Sequence, residues 1–394
     1  GYIALGNIYY NGVGCAVDYQ RAKLYYEKAA EQHDSYAFMY LGDMYRFSKG
    51  VERDLTRAIK YYEDSIKFGN PKAYRSLGDL YKDRNNGKTN FQKAIECYNK
   101  AVNIYDDPEA AYNLGILYKN GYDIKPDYSK ARHYFEISAN EKNYLSYYEL
   151  GIMYFNGLGV VKNYATAKKY LEISAEHNVS FADLVLAEIY ENGYGVKQDY
   201  LQAKLYLEKA AKLGNTFALI ILGDMFKNGQ GVEQNNMMAI SYYLLAARQN
   251  FSTGLYYMGQ LYSTGDITQI DNSKAIQYFL KCIAVKNNRI IYNDSNNNDF
   301  QQYILVNNEY CYHSYNDLGL IYITDFEDIE KACNYLKEAA FAEFPFGQNN
   351  LGLLHQFFLG NNEYAEHMYQ RSSEHHFALA EYNLGYLREK ENKI

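Results

Sequence analysis

The sequence predicts an all-α fold, a right-handed α-solenoid superhelix of about ten and a half helix-turn-helix repeats. Three periodic observations carry that expectation. A mark of the form LG-x-[ILM]-Y returns with its glycine at Gly6, Gly42, Gly78, Gly115, Gly151, Gly223, Gly259, Gly319, Gly352 and Gly385, with Ala187 in its place in LAEIY, and the prevailing spacing is 36 residues. An alanine follows the first eight marks at an offset of 16 (Ala22 to Ala275) and the last two full units at 13, as Ala332 and Ala365. Four residues before each of those alanines stands Asp or Asn. A fixed period of this length belongs to repeat architectures, in which one supersecondary unit buries its apolar face only against its neighbours.

Within each unit both helices have physical reasons to start and stop. In the first helix a small residue five before the mark (Ala37, Ala73, Ala110, Ser146, Ala182, Ala218, Gly254, Ser314, Gly347, Ala380) shares a face with the marked glycine. A glycine inside a helix costs about 1 kcal/mol relative to alanine, so its recurrence implies a neighbour too close for a Cβ. Gly12, Gly121, Gly157, Gly193, Gly229 and Gly265 fall six residues after their marks, where a helix C-terminus calls for a left-handed residue. The second helix opens on Asp18, Asp54, Asn90, Asp127, Asn163, Asp199, Asn235, Asp271, Asp328 and Asn361, side chains that accept a bond from an orphaned amide. Bulky residues three and four after the alanine, such as Tyr25 and Tyr26, and a small pair such as Ala29 and Ala30, complete a helical stripe. The tyrosine three after eight of the marks (Tyr9, Tyr45, Tyr81, Tyr118, Tyr154, Tyr190, Tyr262, Tyr322) is expected to pack between helices.

Composition narrows the function classes. The 394 residues include 47 Tyr, no Trp and 4 Pro, with 48% hydrophobic and 22% charged residues, an ordinary globular balance that excludes a disordered chain. No apolar window is long enough to cross a bilayer, so direct membrane insertion is not expected. A net charge of −7 argues against nucleic acid as partner. Five cysteines, Cys15, Cys97, Cys282, Cys311 and Cys333, are odd in number and lack a CxxC pair. They are expected as free thiols in a reducing, cytoplasmic setting, with the periplasm or the endoplasmic reticulum lumen as the alternative if a leader is missing. Sequons at Asn178, Asn250 and Asn293 are no more than an Asn-rich chain produces by chance.

The composite pattern A-x4-LG-x-x-Y-x-x-G-x-G-V-x-x-D-x-x-K-A-x-x-Y-x3-AA, clearest in Leu150–Ala175 (LGIMYFNGLGVVKNYATAKKYLEISA) and Leu186–Ala211 (LAEIYENGYGVKQDYLQAKLYLEKAA), resembles the Sel1-like repeat, a relative of the tetratricopeptide repeat. The likeness runs along the whole chain and implies binding rather than chemistry. Members of that family serve as adaptors and scaffolds in signalling, in quality control at the endoplasmic reticulum and in bacterial interaction with hosts. Some secreted bacterial members bracket each repeat with paired cysteines, which this chain lacks. The unit at Gly78 replaces its turn with Arg84-Asn85-Asn86-Gly87, and the last two units lose three turn residues each. Residues 1–394 are therefore expected as a single solenoid, with an Asn-rich insertion over 284–312, a surface excursion containing a short helix near Phe300–Val306, and shorter repeats after 313.

Stacked first helices make a large concave surface, and residues four, three and two before the mark and one after it should face it. Those positions give Tyr74, Arg75, Tyr112, Asn113, Tyr147, Tyr148, Asp183, Tyr256, Tyr257, Asn316, Asn349 and Asn350, followed by Asp43, Asp79, Glu188 and Asp224. Such a groove is aromatic and mildly acidic, suited to a peptide or protein carrying basic and apolar residues. Its primary expected role is a non-enzymatic interaction scaffold or adaptor. The alternative is a recognition or regulatory region of a larger protein with a catalytic domain or membrane anchor elsewhere. The last helix turns into the charged run Arg388–Lys393, a polar face fitting a terminal repeat, whereas the N-terminus looks uncapped. No cofactor or metal is expected, because His367, His375 and His376 lack further ligands at tetrahedral spacing. Cys333, directly after the packed Ala332, is expected as a small buried residue and not as a nucleophile.

Overall fold

A computed structural model describes residues 1–84, 87–122, 124–265, 269–287 and 298–391. Regular structure among them is entirely helical and follows the expected pairing, so the all-α solenoid is the fold. Two compact units can be distinguished, Gly1–Ala182 and Asp183–Ile394. The first holds the pairs α1 (Tyr2–Asn11) and α2 (Tyr19–Ala30), α3 (Ser35–Phe47) and α4 (Leu55–Lys67), α5 (Ala73–Lys82) and α6 (Phe91–Tyr105), α7 (Pro108–Asn120) and α8 (Tyr128–Asn140), α9 (Tyr144–Asn156) and α10 (Tyr164–Glu176). The second holds most of α11 (Ser180–Asn192) with α12 (Tyr200–Lys212), then α13 (Thr216–Asn228) and α14 (Asn236–Arg248), α15 (Ser252–Thr264) and α16 (Asn272–Asn287), α17 (Asn298–Thr324) and α18 (Ile329–Phe341), α19 (Pro345–Phe357) and α20 (Asn362–Glu374), and finally α21 (Ala378–Glu391).

The helix ends form where the sequence places them. All ten expected caps of the second helices accept a hydrogen bond from the amide three residues on, at 2.9–3.0 Å. Gly12, Gly121, Gly157, Gly193, Gly229 and Gly265 close their helices with φ between 67° and 75°. Asp54→Ala is expected to cost about 1 kcal/mol, read as a lowered denaturation midpoint. An unchanged midpoint would show that water satisfies the freed Arg57 amide.

The marked glycine is a socket for a ring. A Cβ on Gly42 would lie 2.6 Å from the Tyr62 ring, and one on Gly6 or Gly115 would lie 2.4 Å from Tyr26 or Phe135. The small residue five earlier serves a different neighbour. A Cβ on Gly254 would stand 2.7 Å from Ala246, and one on Gly347 would stand 2.5 Å from Ala339, both on the preceding second helix. Each first helix is thus pressed between its own partner and the one before it, which is what fixes the stacking of pairs.

The signature tyrosine makes a second periodic contact. Tyr9 stacks on Tyr25, Tyr45 on Tyr61, Tyr118 on Tyr134, Tyr154 on Tyr170, Tyr262 on Tyr278 and Tyr322 on Tyr335, with ring centroids 5.6–5.8 Å apart and planes within 18°. In five units a cation sits over that tyrosine while pairing with the capping aspartate: Arg21, Arg57, Lys130, Lys274 and Lys331 lie 5.1–5.5 Å from the ring centroids and 2.8–3.5 Å from Asp18, Asp54, Asp127, Asp271 and Asp328.

Around the insertion, α16 runs on to Asn287 and α17 begins at Asn298, so the short helix expected across Phe300–Val306 is the opening of a 27-residue one. Asn293 to Asn297, like Asn85 and Asn86 of the irregular turn, lie outside the described residues. Cys311, inside the expected excursion, is buried and its sulfur is 3.8 Å from that of Cys282. The contact with Cys311, and after it burial, push the Cys282 thiol pKa upward. All five cysteines are free, and Cys333 is half-buried rather than buried because it sits one step round α18 from the packed Ala332.

Candidate functional site

In the first unit the face of the first helices carries a polar ladder that closes on itself. Tyr62 donates its hydroxyl to Asp43 at 2.6 Å and Tyr98 donates to Asp79 at 2.6 Å. Arg46 reaches the Ser76 carbonyl on the next first helix at 3.2 Å. Asn113 donates to Asp79 at 3.2 Å and accepts from Lys82 at 2.9 Å. Lys119 meets Glu149 at 2.7 Å with both side chains buried. Burial raises the Asp43 carboxyl above its usual range, against the opposing pull of Tyr62 and Arg46.

Several residues expected on the groove are therefore parts of this frame. Asp43 and Asp79 receive phenols from their own repeats, Arg75 pairs with Asp107 and Glu109 of the next first helix, and Asn113 is buried. Tyr74 packs against the core beside Lys100, Tyr112 leans on Phe135, and Tyr148 is only 2% exposed, against Phe181. Tyr147 keeps a partly open ring between Tyr144 and Tyr170.

The second unit is built differently. Asp183 is buried and pairs with Lys209 at 3.1 Å. Glu188 stays exposed, with Glu191 three residues on along α11. Asp224 accepts from the Tyr243 hydroxyl at 2.6 Å. From Tyr243 an aromatic run continues to Tyr257 (centroids 4.9 Å apart), then to Tyr310 (5.8 Å), which also faces Tyr256 (5.2 Å). His313 joins Tyr256 at 5.4 Å and Phe344 at 4.4 Å, and Phe344 leads to Phe346 and Phe377. Tyr256 is 5% exposed, whereas Phe346 is 47% exposed.

Asp317, one turn beyond His313 on α17, is the polar centre of this run. Asn383 donates to Asn349, Asn349 to Asn350, Asn350 to Asn316 and Asn316 to Asp317, at 2.8–3.3 Å, so the carboxamides of α17, α19 and α21 point their donors toward one carboxylate. Tyr256, itself accepting from Gln260 at 2.5 Å, reaches the same group. Burial lifts the Asp317 carboxyl to about 6, against the pull of Asn316, Tyr256 and Gln260. Its partners are neutral, and among the described residues no Lys or Arg pairs with it.

The spacing named Asn316, Asn349 and Asn350; Asp317, two before Gly319, fell on the same rule without being singled out, and Tyr310, His313 and Phe346 fell outside it. The small residue before the mark is where the periodic rule begins, but α17 extends sixteen residues N-terminal to Ser314 and carries Tyr310 and His313 against α15. Among the described residues no three His, Cys, Asp or Glu side chains could hold a metal ion, and no helix is long and apolar enough to cross a membrane.

Comparison with known proteins supports the repeat reading. The model of the Sel1 repeat matches ten segments, 1–34, 35–65, 71–103, 108–143, 145–179, 180–215, 216–251, 252–281, 313–340 and 378–390. A structure of c5321, described as a protective antigen of uropathogenic Escherichia coli with an SLR fold, aligns over 98% of this chain and 79% of its own, at 26% identity and a TM-score of 0.59. A Sel1 repeat protein from Oxalobacter formigenes aligns over 72% and 82% at 23% identity, with a TM-score of 0.61. Comparison with curated proteins gave no match.

Proposed function

Because the chain belongs to the Sel1 repeat family, we propose that it is a non-enzymatic interaction scaffold that holds a peptide or protein partner on the first-helix face of its second unit. The observation that carries this reading is the contrast between the two faces. The first unit answers its acids with Tyr, Arg and Lys from adjacent helices; the second does so for Asp183 and Asp224, but it also gathers Tyr, His and Phe rings, several of them partly exposed, near a carboxylate with neutral partners only. Aromatic rings and carboxamides offer large contact area and adaptable hydrogen bonding at modest entropic cost, the composition of recognition surfaces.

A displayed library of random peptides about twelve residues long tests the idea. Peptides retained by the whole chain are expected to lose affinity roughly tenfold with Phe346→Ala, and to be unaffected by Leu205→Ala, an exposed apolar change on α12. Retention of no peptide, or dependence on Leu205 alone, would remove the first-helix face from consideration.

A further inference from the structure

We propose that the ring cluster of α15 and α17 receives the cationic head of a lysine or arginine side chain from the bound partner, with Asp317 as its counter-ion. The inference rests on the scaffold reading and gives that partner its chemistry.

The chain itself supplies the template. Five times it builds the same three-part unit: a carboxylate, a cation 2.8–3.5 Å away, and a tyrosine ring under that cation at 5.1–5.5 Å. Near Asp317 two of the three parts are present. Tyr256, Tyr257, Tyr310 and His313 form ring pairs 5.2–6.0 Å apart, tilted by 35–53° and not laid flat on one another as in the signature pairs, and Tyr257, Tyr310 and His313 keep part of their rings exposed while Tyr256 forms the buried floor. Asp317 lies against Tyr256 and is half-buried, open enough to be reached. The cation is what this set lacks. A desolvated carboxylate held by neutral donors favours a cation that brings its own charge, and an ammonium or guanidinium over a tyrosine face is attracted further when both are desolvated. Asp224, across Tyr257 on α13, adds negative potential, and burial raises its carboxyl as well.

The sign of the pH dependence follows. A bound cation stabilises the ionised form of Asp317, so protons compete with it and affinity should fall as pH drops through about 6. Of the titratable groups in the cluster, Tyr256 of α15 bonds to Asp317 itself; Tyr310 and His313 of α17 lie against Tyr256, Tyr257 lies beside it, and Asp224 of α13 and Tyr243 of α14 lie beyond Tyr257. Protonation of His313 would weaken cation binding in the same direction, so the variant that separates them is needed.

The experiment uses the peptides retained from the random library. They are expected to share a Lys or Arg, and its replacement by norleucine should weaken binding about tenfold. Asp317→Asn, which keeps an acceptor for Tyr256, should cost a similar factor and remove most of the loss seen on acidification, while His313→Gln should leave that loss in place. Retained peptides that bind equally well with norleucine would overturn the cation inference and leave the scaffold standing; a chain that retains no peptide would overturn both. The norleucine comparison needs no protein variant, so it decides the matter even where Asp317→Asn disturbs folding.

Discussion

Lys119→Met is expected to remove about 3–5 kcal/mol of stability. The side chains of Lys119 and Glu149 are 6% and 0% exposed and meet at 2.7 Å, joining α7 to α9. A buried ion pair is itself of little net worth, since the attraction roughly repays desolvation. Taking one member away is different, because the remaining carboxylate must ionise in a poor solvent or take up a proton. The double variant Lys119→Met with Glu149→Leu should recover most of the loss. Denaturation of the single and double variants, with amide exchange to locate the loss in α7 to α10, provides the check. Equal loss in both would mean that the pair is held by packing alone.

Gly42→Ala should destabilise the chain by roughly 2 kcal/mol, even though alanine is the better helix former by about 1 kcal/mol. Its Cβ would lie 2.6 and 2.7 Å from two carbons of the Tyr62 ring, and Tyr62 cannot swing away because it is fully buried and its hydroxyl is bound to Asp43. The sixth repeat carries Ala187 with Leu207 in the place of the ring, an aliphatic chain that can turn aside where a bound phenol cannot, although Gly151 and Gly319 also face leucines. In a double-mutant cycle, Gly42→Ala and Tyr62→Leu should therefore couple favourably by about 1 kcal/mol or more. Strict additivity would show that the socket yields to the methyl group without cost.

Most of the architecture was legible because it rests on local chemistry repeated ten times. Asp or Asn at a helix start and glycine at a helix end act within a few residues, so their spacing in the sequence already contains the structure. The groove was legible only in part. Asp43, Asp79 and Asp224 were read from their place on the helix face, but each accepts a phenol from a residue 19 positions later in its own repeat, and a single-helix projection does not see that partner. The signal was present as a pairing in seven of the ten full repeats: Asn7, Asp43, Asp79 and Asp224 accompany Tyr26, Tyr62, Tyr98 and Tyr243, and Ile116, Ile152 and Leu320 accompany Phe135, Leu171 and Leu336, whereas Glu188, Gln260 and Leu353 depart from it beside Leu207, Phe279 and Tyr369. Tyr310 and His313 escaped for another reason. The insertion stretches the interval between marks to 60 residues, and a periodic rule has no slot for a helix that starts early.

That pairing has a consequence for how such arrays can be recombined. The acid-with-phenol and aliphatic-with-aliphatic sets are two interchangeable cartridges, each complete only when both of its helices come from the same repeat. A crossover in the loop between repeats transfers a whole cartridge and leaves Tyr26, Tyr62, Tyr98 and Tyr243 their acceptors. A crossover in the loop within a repeat, for example one placing α3 before α10, would set Asp43 opposite Leu171 and strand the carboxylate. The glycine-rich turns inside the repeats are thus the wrong places to cut, and the joints before Ser35, Pro108 and Tyr144 are the right ones.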